Sequence, residues 1–458
     1  MIDHNAATDL PNGARRMQMR YGFNEIDGWW HSSLGAHSQS VRRRLRLMDS
    51  QVIRSLVFPP GCVSPANRQP VPDPVKDWHL FAAHAQAVLD VGAVPMITFA
   101  RAEPPFGSAR NVKTFVSRCA EVVWGCIEQW GGHAVKDWYW CIWNEPNNRL
   151  IGGDVQFPEY RHLYEEVAAA ILEELTPHLA SGKARIGGPA VDTTHRPYWM
   201  DWIARLVSEV DDRLVGFVSW HRYGDWRPAV PSASLALEMW GAPDPPTGAG
   251  FEALLMSQTP IYEARARGVA RLLAGRDILN VCGELNAVAH HEQYYTLGLN
   301  QNVFGAAYYA SALIHLIRGG AHLEMRWSAT AHGQDAYGLI RQDGRSTPAG
   351  LAKQAFVQHV RYGDWVRFPP YRPGLPGVDA IIAWAPGRRS GVFVNTTRER
   401  LDLKPVEWDD RLEACKEVLR LDMSTEDRFV REPFKGTVRL EGYGLAVVSD
   451  RAADTEID

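Results

Sequence analysis

Residues 138–148 read WYWCIWNEPNN. The first six, WYWCIW, form a short apolar run ended by polar residues, the pattern of a strand buried on both faces. Just past its end stands a carboxylate, Glu145, between Asn144 and Pro146. Enclosed, that charge is costly; merely solvated, it has no reason to sit there. The stretch therefore predicts a buried parallel strand whose C-terminal end carries a working acid, with its partner far along the chain.

Seven further runs have the same character: QMRYGF (18–23), QVIRSLVF (51–58), VPMITFA (94–100), ARIGGPAV (184–191), VGFVSWH (215–221), LNVCGEL (279–285) and HLEMRWS (322–328). Helical patterns lie between them, among them WHLFAAHAQAVLDVG, FVSRCAEVVWGCIEQWG, YRHLYEEVAAAILEEL and VFGAAYYASALIHLIRGG, and several end in Gly, a helix C-terminal signal. Eight strand–helix units predict an α/β fold, a (β/α)8 TIM barrel with its helices outside. An open doubly wound sheet is the alternative, but no Gly-rich phosphate fingerprint follows the first strand.

After residue 360 the runs become short strands between turn residues: VDAIIAWAP, SGVFVNTT, CKEVLRLD, TVRLEG and LAVVSD. They predict a small C-terminal β-sandwich. The expected domains are a barrel over 15–360 and the sandwich over 361–458, with residues 1–14 joining the latter. FPPYRPGLPG (368–377) marks the transition. The Pro- and Gly-rich stretch 225–251 after the sixth strand reads as a rim or lid, or else as a disordered insertion.

Composition narrows the function. The chain has 458 residues and a formal net charge of -4, with acids and bases mixed throughout. VRRRLRLMDS (41–50) is the most basic stretch, yet it reads as a helix with Val41, Leu45 and Met48 turned inward and a solvated Arg face, not as a nucleic-acid stripe. No apolar run reaches the ~18 residues of a membrane span. The six cysteines (62, 119, 126, 141, 282, 415) form no CxxC and no metal-ligand spacing, so no metal and no cofactor is expected. Free thiols, and an N-terminus without a signal-peptide core, lead to the expectation of a cytoplasmic protein. Homo-oligomerisation is left open. The 17 Trp supply flat faces for sugar rings, although they also fill cores.

In such barrels chemistry sits at the C-terminal strand ends. The fourth strand ends in Asn144 and Glu145, and the seventh in Glu284. Two carboxylates at one mouth are what glycoside hydrolysis needs: one protonated to help the leaving oxygen depart, the other ionised. On the sixth strand His221 and Tyr223 alternate and so share a face, from which both can donate to a carboxylate. Arg54 on the second strand places a permanent cation near the same anion, and Trp327 on the eighth offers an apolar floor for a sugar. Taken singly, each has an ordinary explanation as a salt bridge, a core histidine or packing. By alternation Cys282 is expected to face the interior with Glu284, as a packing residue. His290 and His291 read as pocket rim or solvated loop. Arg101, Arg149, Arg222 and Arg227 lie in or near the active-face loops, as candidates to meet a substrate carboxylate or as surface residues.

These motifs resemble clan A glycoside hydrolases: the NEP of WNEPNN, the HRY of the sixth strand, and GELN on the seventh. Within the clan, WYWCIWNEPNN, RIGGPAV, FVSWHRYG and AYGLIRQDGRSTPAG (336–350) resemble family 39, which includes β-xylosidases and α-iduronidases. The likeness runs over residues 18–360. It implies a retaining O-glycosidase, β-xylosidase-like, acting on plant- or microbe-derived oligosaccharides or glycosides. By it Glu145 is the acid/base, Glu284 the nucleophile and Asn144 the partner of the substrate 2-hydroxyl; Arg54, His221 and Tyr223 support the nucleophile, and Trp327 lines the sugar site. A retaining pair implies carboxyl groups about 5–5.5 Å apart. Leu285 and Leu56 depart from the family pattern, beside the expected sugar site. A metal-dependent barrel hydrolase and a non-catalytic carbohydrate-binding barrel stand as alternatives, and the sugar is not specified.

Overall fold

The computed structural model describes residues 13–24, 39–57, 74–99, 109–148, 155–179, 183–194, 198–224, 249–288, 298–330, 337–341, 343–370, 377–425 and 427–450. Eight parallel strands close into a barrel: β1 Arg20–Asn24, β2 Val52–Val57, β3 Val94–Phe99, β4 Tyr139–Ile142, β5 Ile186–Asp192, β6 Phe217–Tyr223, β7 Leu279–Asn286 and β8 Leu323–Trp327. Each matches one of the eight apolar runs. Closure is direct, with Arg20 to Asn24 of β1 paired in register with Leu323 to Trp327 of β8.

The two-sided burial of β4 has a plain cause. Tyr139 and Cys141 join Val52, Met96, Phe217, Val281, Leu323 and Met325 in the barrel interior. Trp138, Trp140 and Ile142 join the larger core under the helices. There Trp140 stacks on Phe99 at 6.0 Å between ring centroids, and Trp138 lies 5.1 Å from Trp130 of the helix Ala109–Trp130. The basic stretch after β1 is the helix Gln39–Leu47; Val41, Leu45 and Met48 are buried, as the apolar spacing predicts.

The helix Val303–Gly319 is capped at its start by Asn302, whose side chain accepts from the Gly305 amide, and closed by Gly320 at φ 84°. It is buried almost all round, because it is sandwiched between barrel and C-terminal sheet. The helix Pro348–His359 shares this position; Thr347 caps it and Pro348 opens it.

The C-terminal part is an antiparallel sheet in the order Arg15–Arg16, Trp365–Arg367, Val378–Ala385, Arg388–Asn395, Leu445–Ser449, Glu417–Leu421, Val430–Pro433. A two-stranded ribbon, Leu401–Leu403 with Val438–Leu440, covers its outer face. Arg15–Arg16 thus pairs with the sheet domain before the chain enters the barrel.

Two irregularities position the site. In β5 the pairing shifts between Pro189 and Val191, and Ala190 has φ 54°. In β7, Trp220 pairs with Cys282 but His221 pairs with Glu284, so Gly283 is a bulge residue. That extra residue reverses the alternation. Val281 lies in the barrel interior, whereas Cys282 and Leu285 lie in the core between strands and helices. The expectation that Cys282 faces the interior is therefore corrected, and Leu285 does not border the site, because simple period-two alternation fails across a bulge.

Candidate active site

The loop after β4 carries Glu145 in an unusual backbone. Trp143 and Glu145 have φ of 74° and 48°, a left-handed conformation costing about 1–2 kcal/mol for each L-residue. The ties holding it are visible. The Trp143 amide donates to the Phe99 carbonyl of β3 at 2.9 Å, and the Glu145 amide to the Ala190 carbonyl of β5 at 2.9 Å. The Asn147 side chain bonds both ways with the Asp192 backbone, at 2.9 Å each. The strained loop is thus fastened to the strands on either side of β4.

Glu284 arrives from β7 on the far side of its bulge. Its Oε1 accepts from Arg54 Nη1 at 2.7 Å and its Oε2 from the Tyr223 hydroxyl at 2.6 Å. Arg54, its side chain fully buried, spends its other donors on Thr98 Oγ1 (2.9 Å), Asn24 Oδ1 (2.8 Å) and Asn144 Oδ1 (2.6 Å). The guanidinium fork therefore links β1, β2, β3, the loop after β4, and β7. Burial, and secondarily the Glu284 charge, push the Tyr223 hydroxyl well above the usual phenol range, so it stays a donor.

His221 lies between the two acids. Its Nδ1 is 2.8 Å from Glu145 Oε1 and 3.4 Å from Glu284 Oε1. The expected role as support for Glu284 alone understates this position, since the closer contact is to Glu145. Burial lowers its pKa to about 4, opposed by the Glu284 and Asp192 charges and reinforced by Arg54. At neutral pH the ring is uncharged. A Cβ on Gly283 would lie 3.0 Å from His221 Nε2 and 2.4 Å from Ser219 Oγ, so the ring edge packs against a position only glycine can fill.

One oxygen of Glu145, one oxygen of Glu284 and a ring nitrogen of His221 all lie within 4.8 Å of one another. A close trio of this kind can suit a cation. Here, however, both Glu284 oxygens already accept hydrogen bonds and the Arg54 cation occupies the adjoining position. The donor set suits a hydrogen-bonded carboxylate pair.

Of the expected residues, the structure brings Glu145, Glu284, Asn144, Arg54, His221 and Tyr223 into one network. Trp327, at the end of β8 beside Asn24, is nearly buried; its carbonyl accepts from Asn286, and it makes no hydrogen bond to either acid. Arg222 points the other way, buried against Gln258 Oε1 at 2.8 Å, so it neither meets the mouth nor lies on the surface. Arg101, Arg149, Arg227, His290, His291, Cys62 and most of the 225–251 stretch lie outside the described residues.

Sequence reasoning missed Asn24, Thr98, Asn148 and Asp192. Asn24 and Asp192 are polar residues ending β1 and β5, so the strand-end rule could have found both. Asn148 donates to Glu145 Oε2 at 3.0 Å and lies 3.4 Å from Asp192 Oδ2.

Fold and site together define a (β/α)8 barrel with a buried, hydrogen-bonded glutamate pair across its mouth. Comparison with known proteins extends this. Residues 101–242 match the family model for glycosyl hydrolases family 39. A β-xylosidase of Geobacillus stearothermophilus is 34% identical over 99 residues, a stretch that takes in 21% of this chain and 18% of the xylosidase. A monomeric β-xylosidase from Caulobacter crescentus CB15 superposes with TM-score 0.61 at 15% identity, covering 94% of this chain and 96% of that one. A GH39 enzyme from Xanthomonas axonopodis pv. citri gives 0.60 at 14%, covering 94% of each. A family 51 α-L-arabinofuranosidase from Bifidobacterium longum gives 0.61 at 13%, covering 95% and 96%. At such identities the superpositions speak for the fold. The chain resembles the clan A glycoside hydrolases, and family 39 in particular, as its motifs indicate. Among the described residues no helix is long and apolar enough to cross a membrane.

Proposed function

We propose that this chain is a retaining glycoside hydrolase, β-xylosidase-like, that cleaves oligosaccharides or glycosides by double displacement. One observation carries the reading: Glu145 and Glu284, 139 positions apart in sequence, present carboxylate oxygens within 4.8 Å of each other at the barrel mouth. Retaining pairs stand about 5–5.5 Å apart, whereas inverting pairs need roughly 6.5–9.5 Å to admit a water.

In this reading Glu284, accepting from Arg54 and Tyr223, attacks the anomeric carbon. Glu145 gives its proton to the departing oxygen, and the glycosyl–Glu284 ester forms. Glu145, now ionised, then takes a proton from the water that opens the ester. Asn144, its oxygen fixed by Arg54, turns its amide NH2 to the sugar 2-hydroxyl, and Trp327 supplies the apolar wall. Neutral His221 keeps the two carboxylates apart without adding a competing charge. A reducing, cytoplasmic setting goes with this reading, since Cys119, Cys126, Cys141, Cys282 and Cys415 are buried and unpaired.

The test is a panel of aryl glycosides on wild type, Glu284→Ala and Glu145→Ala. Wild type should cleave at least one sugar, and Glu284→Ala should lose several orders of magnitude in rate. Glu145→Ala should lose much less with a 2,4-dinitrophenyl leaving group than with a poor one, because a good leaving group needs little protonation. Equal impairment on both would remove Glu145 from its role.

A further inference from the structure

The two glutamates have unequal surroundings. Glu284 accepts from a cation and a phenol. Glu145 meets a neutral imidazole and the Asn148 amide, and behind that amide stands a third buried carboxylate, Asp192. Asp192 ends β5 two residues after the bulged Ala190. Its Oδ1 accepts from the Thr194 amide at 2.7 Å, and its backbone is gripped by the Asn147 side chain. Its Oδ2 is 3.4 Å from the same Asn148 Nδ2 that donates to Glu145 Oε2. One amide thus lies between two carboxylates, which are no more than two hydrogen-bond lengths apart.

We propose that Asp192 is a positioning residue for the acid/base: through Asn148 it fixes the Glu145 carboxyl, and its charge favours the protonated form of Glu145. The inference rests on the reading of Glu145 as acid/base. Among the described residues, the charged or titratable groups around Glu145 include His221 and Tyr223 on β6, Glu284 on β7, Arg54 on β2 and Asp192 on β5. Arg54 bonds to Glu284 directly, so its charge acts first on that acid. Asp192 is reached from Glu145 through the Asn148 amide. The two glutamates thus have unlike neighbours: a cation is bonded to the nucleophile, and an anion stands behind the acid, where it favours the proton until the leaving oxygen takes it. The same anion strengthens Glu145 as a base in the second step, when it draws a proton from water.

Substitutions at Asp192 and at Asn148 should act in opposite directions. Asp192→Ala removes the charge and keeps the Asn148 donor to Glu145. Asp192→Ser removes the charge but keeps an oxygen for the Thr194 amide, and serves if the alanine variant folds poorly. In both, the basic limb of kcat/KM should move down by about one pH unit. Asn148→Ala removes a donor to the ionised form, and the limb should move up. The Asp192 variants should lose about tenfold or more in kcat on a poor leaving group and little on a 2,4-dinitrophenyl glycoside. A carboxyl 13C NMR titration of Glu145, assigned with Glu145→Gln, reads the same displacements without any substrate. If wild type cleaves no glycoside, the functional reading fails, while the NMR titration still decides this inference. Unmoved limbs and an unmoved Glu145 resonance in the Asp192 variants, with equal losses on both leaving groups, would overturn it.

Discussion

Gly283→Ala is the sharpest probe of how the barrel delivers Glu284. Gly283 is the extra residue of the β7 bulge, and the bulge turns Glu284 rather than Leu285 inward. A methyl group there would sit 2.4 Å from Ser219 Oγ and 3.0 Å from His221 Nε2, where ordinary carbon contacts begin near about 3.5 Å. Both neighbours are buried, so the strand or the imidazole must move. Overpacking of this kind costs about 1–3 kcal/mol, which for a chain of this length is a fall in Tm of about 1–3 °C. The catalytic loss should be larger in proportion. A displacement of about 1 Å in a reacting group costs on the order of 100-fold, and His221 touches both acids. Adding Ser219→Gly removes the closer clash and leaves the one with His221. The double variant should therefore recover most of the stability and little of the turnover. Differential scanning calorimetry and aryl-glycoside kinetics on the three proteins decide it. Wild-type Tm and turnover in Gly283→Ala would refute the packing argument, and so would a double variant that regains both together.

Three further outcomes are expected. Tyr223→Phe removes a donor to a charged acceptor, about 1.5–3 kcal/mol, so kcat should fall roughly 10- to 150-fold with KM little changed; steady-state kinetics reads the split. Lys353 and Glu324 form a fully buried pair at 2.5 Å, so Lys353→Met should cost about 3–5 kcal/mol by urea denaturation, with most of it recovered when Glu324→Leu removes the stranded charge. His359 has its pKa lowered to about 4 by burial and by Arg361, Arg388 and Arg431, against an ordinary value of 6.5. Between those values the unfolded chain binds the extra proton, so stability is lost as pH falls from about 6.5 to 4; urea denaturation of His359→Gln at pH 7 and pH 4 should show a drop smaller than wild type's by about 3 kcal/mol.

Most of the architecture was legible in the sequence, for a physical reason. A strand buried on both faces between capped helices leaves a short apolar run with polar ends, and all eight runs became barrel strands. Strand-end position then picked out Glu145, Glu284, His221 and Tyr223. Alternation misled where the backbone departs from period two. The bulge at Gly283 put Cys282 and Leu285 on the helix side, and nothing in GEL distinguishes a bulge glycine from a strand glycine. Arg222 drew attention by its charge, but it lies on the outer face of β6, opposite His221 and Tyr223, and is paired with Gln258. The Asn147–Asp192 contact escaped because it joins a loop to a strand end brought beside it only when β4 and β5 pair, and the Asn148–Glu145 contact because it depends on the left-handed turn of the backbone at Glu145 within one loop.

The central claim is that Glu284 becomes covalently joined to sugar while Glu145 manages the proton. Incubation with a 2-deoxy-2-fluoro glycosyl fluoride of the cleaved sugar, followed by intact-mass measurement and peptide mapping, tests it most directly. The account predicts one added fluoroglycosyl unit per chain, located on Glu284 and absent from Glu284→Gln. An active enzyme that acquires no adduct, or carries it on another residue, would contradict the account.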